Sequence, residues 1–220
     1  MDYIVSYFLA LLAALCYGAN IFFIHAGTAL SGSKAKQVLI INLASGFFLL
    51  TVFEIVSSLL NGFPAFTVEG LLFFAAAGFT GPFLGRVFSI SAIRIIGGTR
   101  TSTLRMGETF ITLLLAFIIF NERIRPISLI GAVILISGIV LLINEKKVDE
   151  ISTDTAAKKR GVLFSFGAAL FFAAGRIFHK LGLNVVPDPL LGAMCGTLAA
   201  LIVNSIYISV SGGIRSGNKE

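Results

Sequence analysis

The stretch that decides the fold is residues 98–143, GTRTSTLRMGETFITLLLAFIIFNERIRPISLIGAVILISGIVLLI. It contains two apolar runs, each about long enough to cross a bilayer as a helix. Only the polar sequence NERIRP at 121–126 separates them, which predicts a tight helical hairpin. Arg105 and Glu108 lie inside the first run, where an ionisable side chain must face protein or a water-filled cavity. The stretch therefore predicts a membrane protein with a polar interior, a candidate for moving a solute.

The composition of the whole chain agrees with this prediction. Of the 220 residues, 56% are hydrophobic and only 13% are charged, and the mean hydropathy is +0.95. A soluble domain averages about a quarter charged residues. The net charge of +6 does not indicate nucleic-acid binding, because most cations fall in short loops without interleaved aromatic residues. We expect a multi-pass protein of the cell membrane, with the lipid bilayer and a small-molecule solute as partners and no nucleic acid.

Seven apolar segments predict an all-α polytopic membrane protein with about seven transmembrane helices. They lie at 3–25, 37–60, 70–93, 100–120, 127–144, 161–182 and 190–210. The charged stretch 145–160, EKKVDEISTDTAAKKR, has no apolar periodicity and is predicted to be a surface linker. The predicted division is a five-helix unit at 1–144, a linker at 145–160 and a partial second unit at 161–220.

A weak internal repeat supports this division. ALLAALCYGANIFFIHAG at 10–27 aligns with FSFGAALFFAAGRIFHKLG at 164–182 with a constant offset. Because five is odd, successive units would be inverted in the membrane, as in many transporters. The second unit would contain only two helices, so we expect that the chain alone does not complete a transport cycle. It would act as a homodimer or with a complementing partner, or be a fragment of a longer coding region.

The distribution of Lys and Arg predicts the orientation. The predicted loops on one side of the membrane carry eleven of these cations, whereas those on the other side carry Arg123, Arg125 and Lys180. The positive-inside rule then places the linker and the C-terminal tail in the cytoplasm and the N-terminus outside.

The fourth segment carries the main candidate site. Its polar residues recur at spacings of four, three and four, which places them on one helix face: Thr101, Arg105, Glu108 and Thr112. Arg105 and Glu108 are within reach of each other at i,i+3. They form either a neutralised structural pair or part of a polar cavity. In the cavity, Glu108 would take a proton or cation and Arg105 would attract an anionic group.

Arg86 lies midway along the third segment and either lines a cavity or pairs with Glu108 or Glu54. Pro82 lacks an N–H, so it predicts a kink that frees backbone carbonyls. Beside them runs a stripe of small residues that allows close helix approach, formed by Gly78, Gly81, Gly85, Ser89 and Ala92.

Three further residues are candidates for solute contact. Tyr17 and Asn20 share a face of the first segment, and Asn42 lies in the second. The asparagines can instead bridge helices by hydrogen bonds. Arg176 in the sixth segment, about one turn from Lys180, is expected to snorkel to the membrane interface. The sequence has no nucleophile elbow, HExxH or Walker motif, so we expect no catalytic residue, no metal and no cofactor.

The hairpin resembles the fourth and fifth helices of the EamA-like domain of the drug/metabolite transporter superfamily. The similar motifs are ETF…LLLAFIIFNERI followed by LIGAVILISGIVLL, with SAIRIIGGTRTSTL at 91–104 before them. Glu108 falls on a family glutamate, Glu122 on the hairpin tip, and Gly131 and Gly138 on two family glycines. Glu122, Gly131 and Gly138 are assigned structural roles. The family's proline after the glutamate is Thr109 here, so the family's kink in this helix is not expected.

The resemblance implies secondary transport, by efflux or exchange, of a small metabolite or drug-like solute through alternating access around a central cavity. The candidate solute-contacting residues are Tyr17, Asn20, Asn42, Arg86, Arg105 and Glu108. The alternative is a non-transporting membrane scaffold, or an inactive fragment that needs a partner. A scaffold should tolerate loss of the charged candidates, whereas a transporter should not.

Overall fold

The computed structural model describes residues 35–62, 67–121, 126–144 and 155–216, together with a few helical residues between 8 and 19. All regular secondary structure in these ranges is helical, which confirms the all-α class. Within the described ranges, five stretches are long and apolar enough to cross a membrane, as a polytopic membrane protein requires. Tyr17 and Asn20 of the first predicted segment lie outside the described residues.

The helices correspond to the predicted segments from the second onward. They are α1 (Ala35–Asn61), α2 (Val68–Gly78), a π-helix (Phe79–Gly85), α3 (Arg86–Ile96), α4 (Gly98–Arg105), α5 (Glu108–Phe120), α6 (Pro126–Asn144), α7 (Thr155–Val185) and α8 (Pro189–Ser216). Because α7 begins at Thr155, residues 155–160 are helical, although the sequence assigned them to the linker. The division of the chain into two units stays a prediction.

Local signals in the sequence account for several helix ends. Before α8, the Oδ1 atom of Asp188 accepts hydrogen bonds from the backbone N–H groups of Leu190 and Leu191, both at 3.0 Å, and so caps the helix. Gly97, between α3 and α4, has φ +84°, a conformation that side chains rarely adopt. Asn121 ends α5 in the left-handed region at φ +50°.

Helix α7 lies at the centre of the described structure. It packs against α2, the π-helix, α3, α4 and α5, while α8 packs against α1 and α2. Among the residues that the structure describes, the core contains one cluster of larger side chains, Phe74, Val186 and Leu191. Most other buried apolar residues are alanines, namely Ala77, Ala92, Ala132, Ala168, Ala169, Ala173 and Ala200. Small side chains let the helices approach closely, which favours association within a bilayer.

The predicted stripe of small residues is confirmed by two close helix crossings. A Cβ atom at Gly78 would overlap the carbonyl oxygen of Gly196 on α8. A Cβ atom at Gly175 on α7 would lie 2.9 Å from the Cα atom of Gly81. Glycine is therefore required at Gly78 and at Gly175, because a Cβ atom at either residue would lie too close to the backbone of the facing helix.

The predicted interruption at Pro82 takes the form of the π-helix. Pro82 lies within this segment, near the middle of the membrane span Val68–Ile96. Proline cannot donate the backbone hydrogen bond that continues an α-helix, and a wider turn accommodates the change. The hydroxyl of Thr80 donates to the carbonyl oxygen of Ala76 at 2.8 Å. Such π-helical turns occur frequently at functional sites.

Candidate functional site

The fourth apolar segment is interrupted by a turn at Met106–Gly107, between α4 and α5. The backbone N–H of Gly107 donates to the carbonyl of Leu104 at 3.1 Å, an i→i+3 bond that tightens the chain. The absence of the family's proline at Thr109 therefore does not leave this helix regular. The interruption lies near the middle of the span Gly98–Phe120 and makes Glu108 the first residue of α5.

Glu108 forms an ion pair with Arg176 of α7. The Nη2 atom of Arg176 donates to the Oε1 atom of Glu108 at 2.6 Å. The sequence offered Arg105 or Arg86 as the partner of this carboxylate, and it placed Arg176 at the membrane interface. The Glu108 side chain is 15% exposed and that of Arg176 is 64% exposed. The carboxylate is thus sheltered, while the guanidinium remains accessible.

The ion pair is one of three polar or aromatic contacts that recur every four residues along α7. One turn before Arg176, the ring of Phe172 lies under Arg105, with 5.2 Å from the Cζ atom to the ring centroid. One turn after it, the Nζ atom of Lys180 lies 4.5 Å from the ring centroid of Phe120. Both distances are in the range of cation–π interactions. Arg105 and Glu108 therefore both face the bundle, as their spacing predicted, and both contact α7.

Two cavities lie on either side of this part of α7. Cavity A, of about 310 Å³, is bounded by α2, the π-helix, α7 and α8. Its lining is mostly glycine, alanine and aromatic: Ala77, Gly78, Gly81, Pro82, Phe172, Gly175, Arg176, His179, Gly192, Ala193, Gly196 and Thr197. Cavity B, of about 470 Å³, is bounded by α5, α6 and α7. Three of its lining residues carry hydroxyl groups. The lining consists of Thr109, Phe110, Thr112, Leu113, Ala116, Ser128, Gly131, Ala132 and Arg176.

Arg176 belongs to the lining of both cavities. Arg105 and Glu108 contact these linings through Phe172 and Arg176 respectively. The volumes fall within and near the lower end of the range of small-molecule sites, about 300–1,000 Å³. The arrangement places a guanidinium where two mainly apolar cavities meet, and a sheltered carboxylate holds it there.

The other predicted contacts have different positions. Arg86 is the first residue of α3, directly after the π-helix, and is half-buried with an interaction of its own. Asn42 is half-buried on α1, and its carbonyl oxygen accepts a hydrogen bond from the Ser45 hydroxyl. Neither α1 nor α3 contributes a residue to the linings of cavities A and B. A role for Asn42 or Arg86 in solute contact stays a prediction.

The residues with predicted structural roles lie in and beside the hairpin. Glu122 at the tip lies outside the described residues. Gly131 lines cavity B, and a Cβ atom at Gly131 or at Gly138 would meet no described atom within 4 Å. Neither glycine is needed for a close crossing among the described helices, so their structural roles stay predictions.

Sequence reasoning did not assign Arg176 or His179 to the site. His179 lines cavity A, and its ring centroid lies 5.5 Å from that of Phe74. The available signal was the spacing of four residues that puts Phe172, Arg176 and Lys180 on one face of α7. Within the described ranges, His, Cys, Asp and Glu form no group of three that could hold a metal ion.

A second carboxylate is buried elsewhere, on α1. Glu54 is only 7% exposed. Its Oε1 atom accepts a hydrogen bond from the Ser58 hydroxyl at 3.3 Å, and its Oε2 atom has no hydrogen-bond partner in the described part of the chain. Ser58, rather than Arg86, is the partner that the structure gives it.

The chain is similar to known membrane transporters. The EamA-like transporter family matches residues 4–144. The inner membrane transporter YhbE of Escherichia coli (strain K12) is 28% identical over 131 residues, and the same figures hold for YhbE of E. coli O157:H7 and of Shigella flexneri. The match covers 60% of this chain and 40% of the length of each relative. No solved structure matches the chain.

These matches and the apolar helices assign the chain to the cell membrane as a multi-pass protein. The family match extends over more than half of the residues. The chain therefore belongs to the EamA-like transporter family.

Proposed function

We propose that this chain takes part in secondary transport, by efflux or exchange, of a small metabolite or drug-like solute. Membership of the family points to solute transport and to a non-enzymatic role. The observation that carries the finer proposal is the ion pair between Glu108 and Arg176. It lies within two membrane spans, and Arg176 faces both cavities.

The irregular backbone near this pair supports a transport pathway. The π-helix around Pro82 and the turn at Met106–Gly107 both lie near the middle of their spans. Within a bilayer, such irregular backbone is tolerated where it is buried in protein or lines a cavity. Pro82 does line cavity A. Interrupted helices near the midplane are the usual location of solute sites in secondary transporters.

Alternating access requires contacts that can be made and broken between packed helices. The ion pair joins α5 to α7, and the cation–π contact of Arg105 with Phe172 joins α4 to α7. Both contacts involve the face of α7 that separates the two cavities. Movement of α7 relative to α4 and α5 would open one cavity at the expense of the other. The solute contacts we propose are Tyr17, Asn20, Asn42, Arg86, Arg105 and Glu108, together with Arg176.

Flux measurements in proteoliposomes test the proposal. The purified chain is reconstituted and assayed against a metabolite panel, with and without a pH gradient. We expect flux of at least one solute where the chain is reconstituted as a homodimer, and loss of that flux in Glu108→Gln. The matched control is Glu69→Gln, because Glu69 is an exposed carboxylate in the first turn of α2.

The alternative is a scaffold without transport activity. For a scaffold we expect no flux, and we expect that Glu108→Gln and Glu69→Gln both leave the protein functional as a scaffold. A homodimer or a complementing partner stays a prediction, and the mass of the reconstituted species tests it. If the wild type and both variants showed equal flux, transport would not depend on the Glu108 carboxylate.

A further inference from the structure

Among the described residues, the charges around the junction of the two cavities do not balance. Arg105 and Arg176 carry two positive charges on the side of α7 that meets α4 and α5, and Glu108 carries one negative charge. A single monovalent anion beside Arg176 would neutralise the three-residue cluster of Arg105, Glu108 and Arg176.

Arg176 has unused hydrogen-bonding capacity. A guanidinium carries five N–H donors. In the described part of the chain, Arg176 donates a single hydrogen bond, from Nη2 to Glu108. Its side chain is 64% exposed and faces both cavities. The donors that do not bind Glu108 are therefore accessible to a solute in either cavity.

We propose that Arg176 binds the anionic group of the solute and that Glu108 is the internal anion which the solute displaces. The solute class is a small amphipathic carboxylate. This inference rests on the proposed transport function and names its substrate class. A carboxylate matches the guanidinium with two parallel hydrogen bonds, an arrangement stronger and more directional than a single bond to Glu108.

The cavity walls indicate the rest of the solute. Beside Arg176, cavity A presents Phe172, Pro82 and several glycines and alanines, and its volume is about 310 Å³. Cavity B adds Phe110 and Leu113, with a few hydroxyl groups. A solute that places its carboxylate on Arg176 would therefore place a ring or short alkyl chain against apolar walls. Burial of that apolar part would favour binding.

A cationic solute is disfavoured by the same geometry. The carboxylate that it would need belongs to Glu108, which is only 15% exposed and already bound to Arg176. A cation that approaches through either cavity meets Arg176 first. It would also face Arg105, which lies one turn away over Phe172. Recognition of a cation by Glu108 would open the ion pair and leave the Arg176 guanidinium without its carboxylate partner.

Three compounds of the same shape and different charge test the inference. Benzoate, benzamide and benzamidine are titrated calorimetrically into the purified chain. We expect benzoate to bind best. Arg176→Gln should weaken benzoate binding about tenfold or more, the effect of losing a charge-assisted hydrogen bond. Glu108→Gln should strengthen it, because the internal competitor is removed. Arg94→Gln, at an exposed position on α3, should leave it unchanged.

A charge exchange separates recognition from a structural role. The double variant E108R/R176E keeps an ion pair between α5 and α7 but turns a carboxylate toward the cavities. We expect its preference to switch from benzoate to benzamidine. A preference for benzoate that survives the exchange would overturn the inference, as would benzoate binding that is unaffected by Arg176→Gln. Failure of the wild type to bind benzoate at millimolar concentration would also overturn it.

Flux of the same compounds distinguishes this inference from the proposed function. Transport of benzamidine or benzamide in preference to benzoate would uphold transport and overturn the anion site. Benzoate binding that depends on Arg176, without flux of any compound, would uphold the anion site and count against transport.

Discussion

Glu108 and Arg176 are 68 residues apart in the chain, yet their side chains meet at 2.6 Å between α5 and α7. The pair connects a helix of the predicted first unit to a helix of the predicted second. Since the guanidinium is largely exposed and the carboxylate is sheltered, the two groups differ in accessibility. A change at either residue should affect solute handling more than stability.

Replacing Glu108 with Gln tests that expectation. Glu108→Gln keeps a side-chain oxygen that can accept the hydrogen bond from Arg176, and the Arg176 side chain is 64% exposed toward the cavities, so the variant should unfold at nearly the wild-type temperature. Transport should be abolished, because the carboxylate that competes for Arg176 and allows solute release is gone. Thermal unfolding in detergent and flux in liposomes measure the two effects. A large fall in stability would instead identify a structural pair, and unchanged flux would remove Glu108 from the mechanism.

Replacing Gly78 with Ala, in contrast to Glu108→Gln, should lower stability. The new methyl group would overlap the carbonyl oxygen of Gly196, so α2 and α8 must move apart. Overpacking of this kind costs about 1–3 kcal/mol. The matched control is Gly46→Ala on α1, where a Cβ atom meets nothing within 4 Å. We expect a clear fall in unfolding temperature for Gly78→Ala and little change for Gly46→Ala; equal behaviour would contradict the close crossing.

Most of the fold could be predicted because the length of an apolar run decides whether it crosses a bilayer. The stripe beside Pro82 could also be predicted, since small residues at helical spacing indicate a close helix crossing. The turn at Met106–Gly107 could not be predicted from the sequence. Gly107 has ordinary helical dihedral angles, φ −58° and ψ −15°, so no residue there demands a break. The interruption coincides with the contacts of Arg105 and Glu108 on α7, which chain order does not reveal.

The site was predictable only in part. The helical spacing correctly predicted that Arg105 and Glu108 face the bundle, because the face on which a residue lies depends on its own segment alone. The choice of partner depends on which helix packs against α4 and α5. The sequence offers Arg86, Arg105 and Arg176 in apolar segments, and i,i+3 proximity favoured Arg105. The tertiary packing of α7 selected Arg176 instead.

The orientation of the chain in the membrane can be measured with a single cysteine. The Lys/Arg distribution predicts that residues 145–160 are cytoplasmic. Cys16 and Cys195 are first replaced by alanine, because both are free thiols. In that background, Ser152→Cys should resist an impermeant thiol reagent in intact cells and react after lysis. Ile124→Cys, in the predicted outer loop, should react in intact cells. The reverse pattern of labelling would show that the chain has the opposite orientation in the membrane.

Glu54 provides the last prediction, because it is buried in a membrane span without a cationic partner among the described residues. An unpaired buried carboxylate is costly. Glu54→Gln keeps an oxygen that accepts the Ser58 hydrogen bond and removes the ionisable group. We therefore expect an unfolding temperature equal to or above that of the wild type. The control Glu69→Gln should lower stability by about 0.3–1 kcal/mol, because an acidic residue in the first turn of α2 interacts favourably with the helix dipole. If Glu54→Gln instead proves much less stable than Glu69→Gln, the Glu54 carboxylate makes a charged contact that the fold requires.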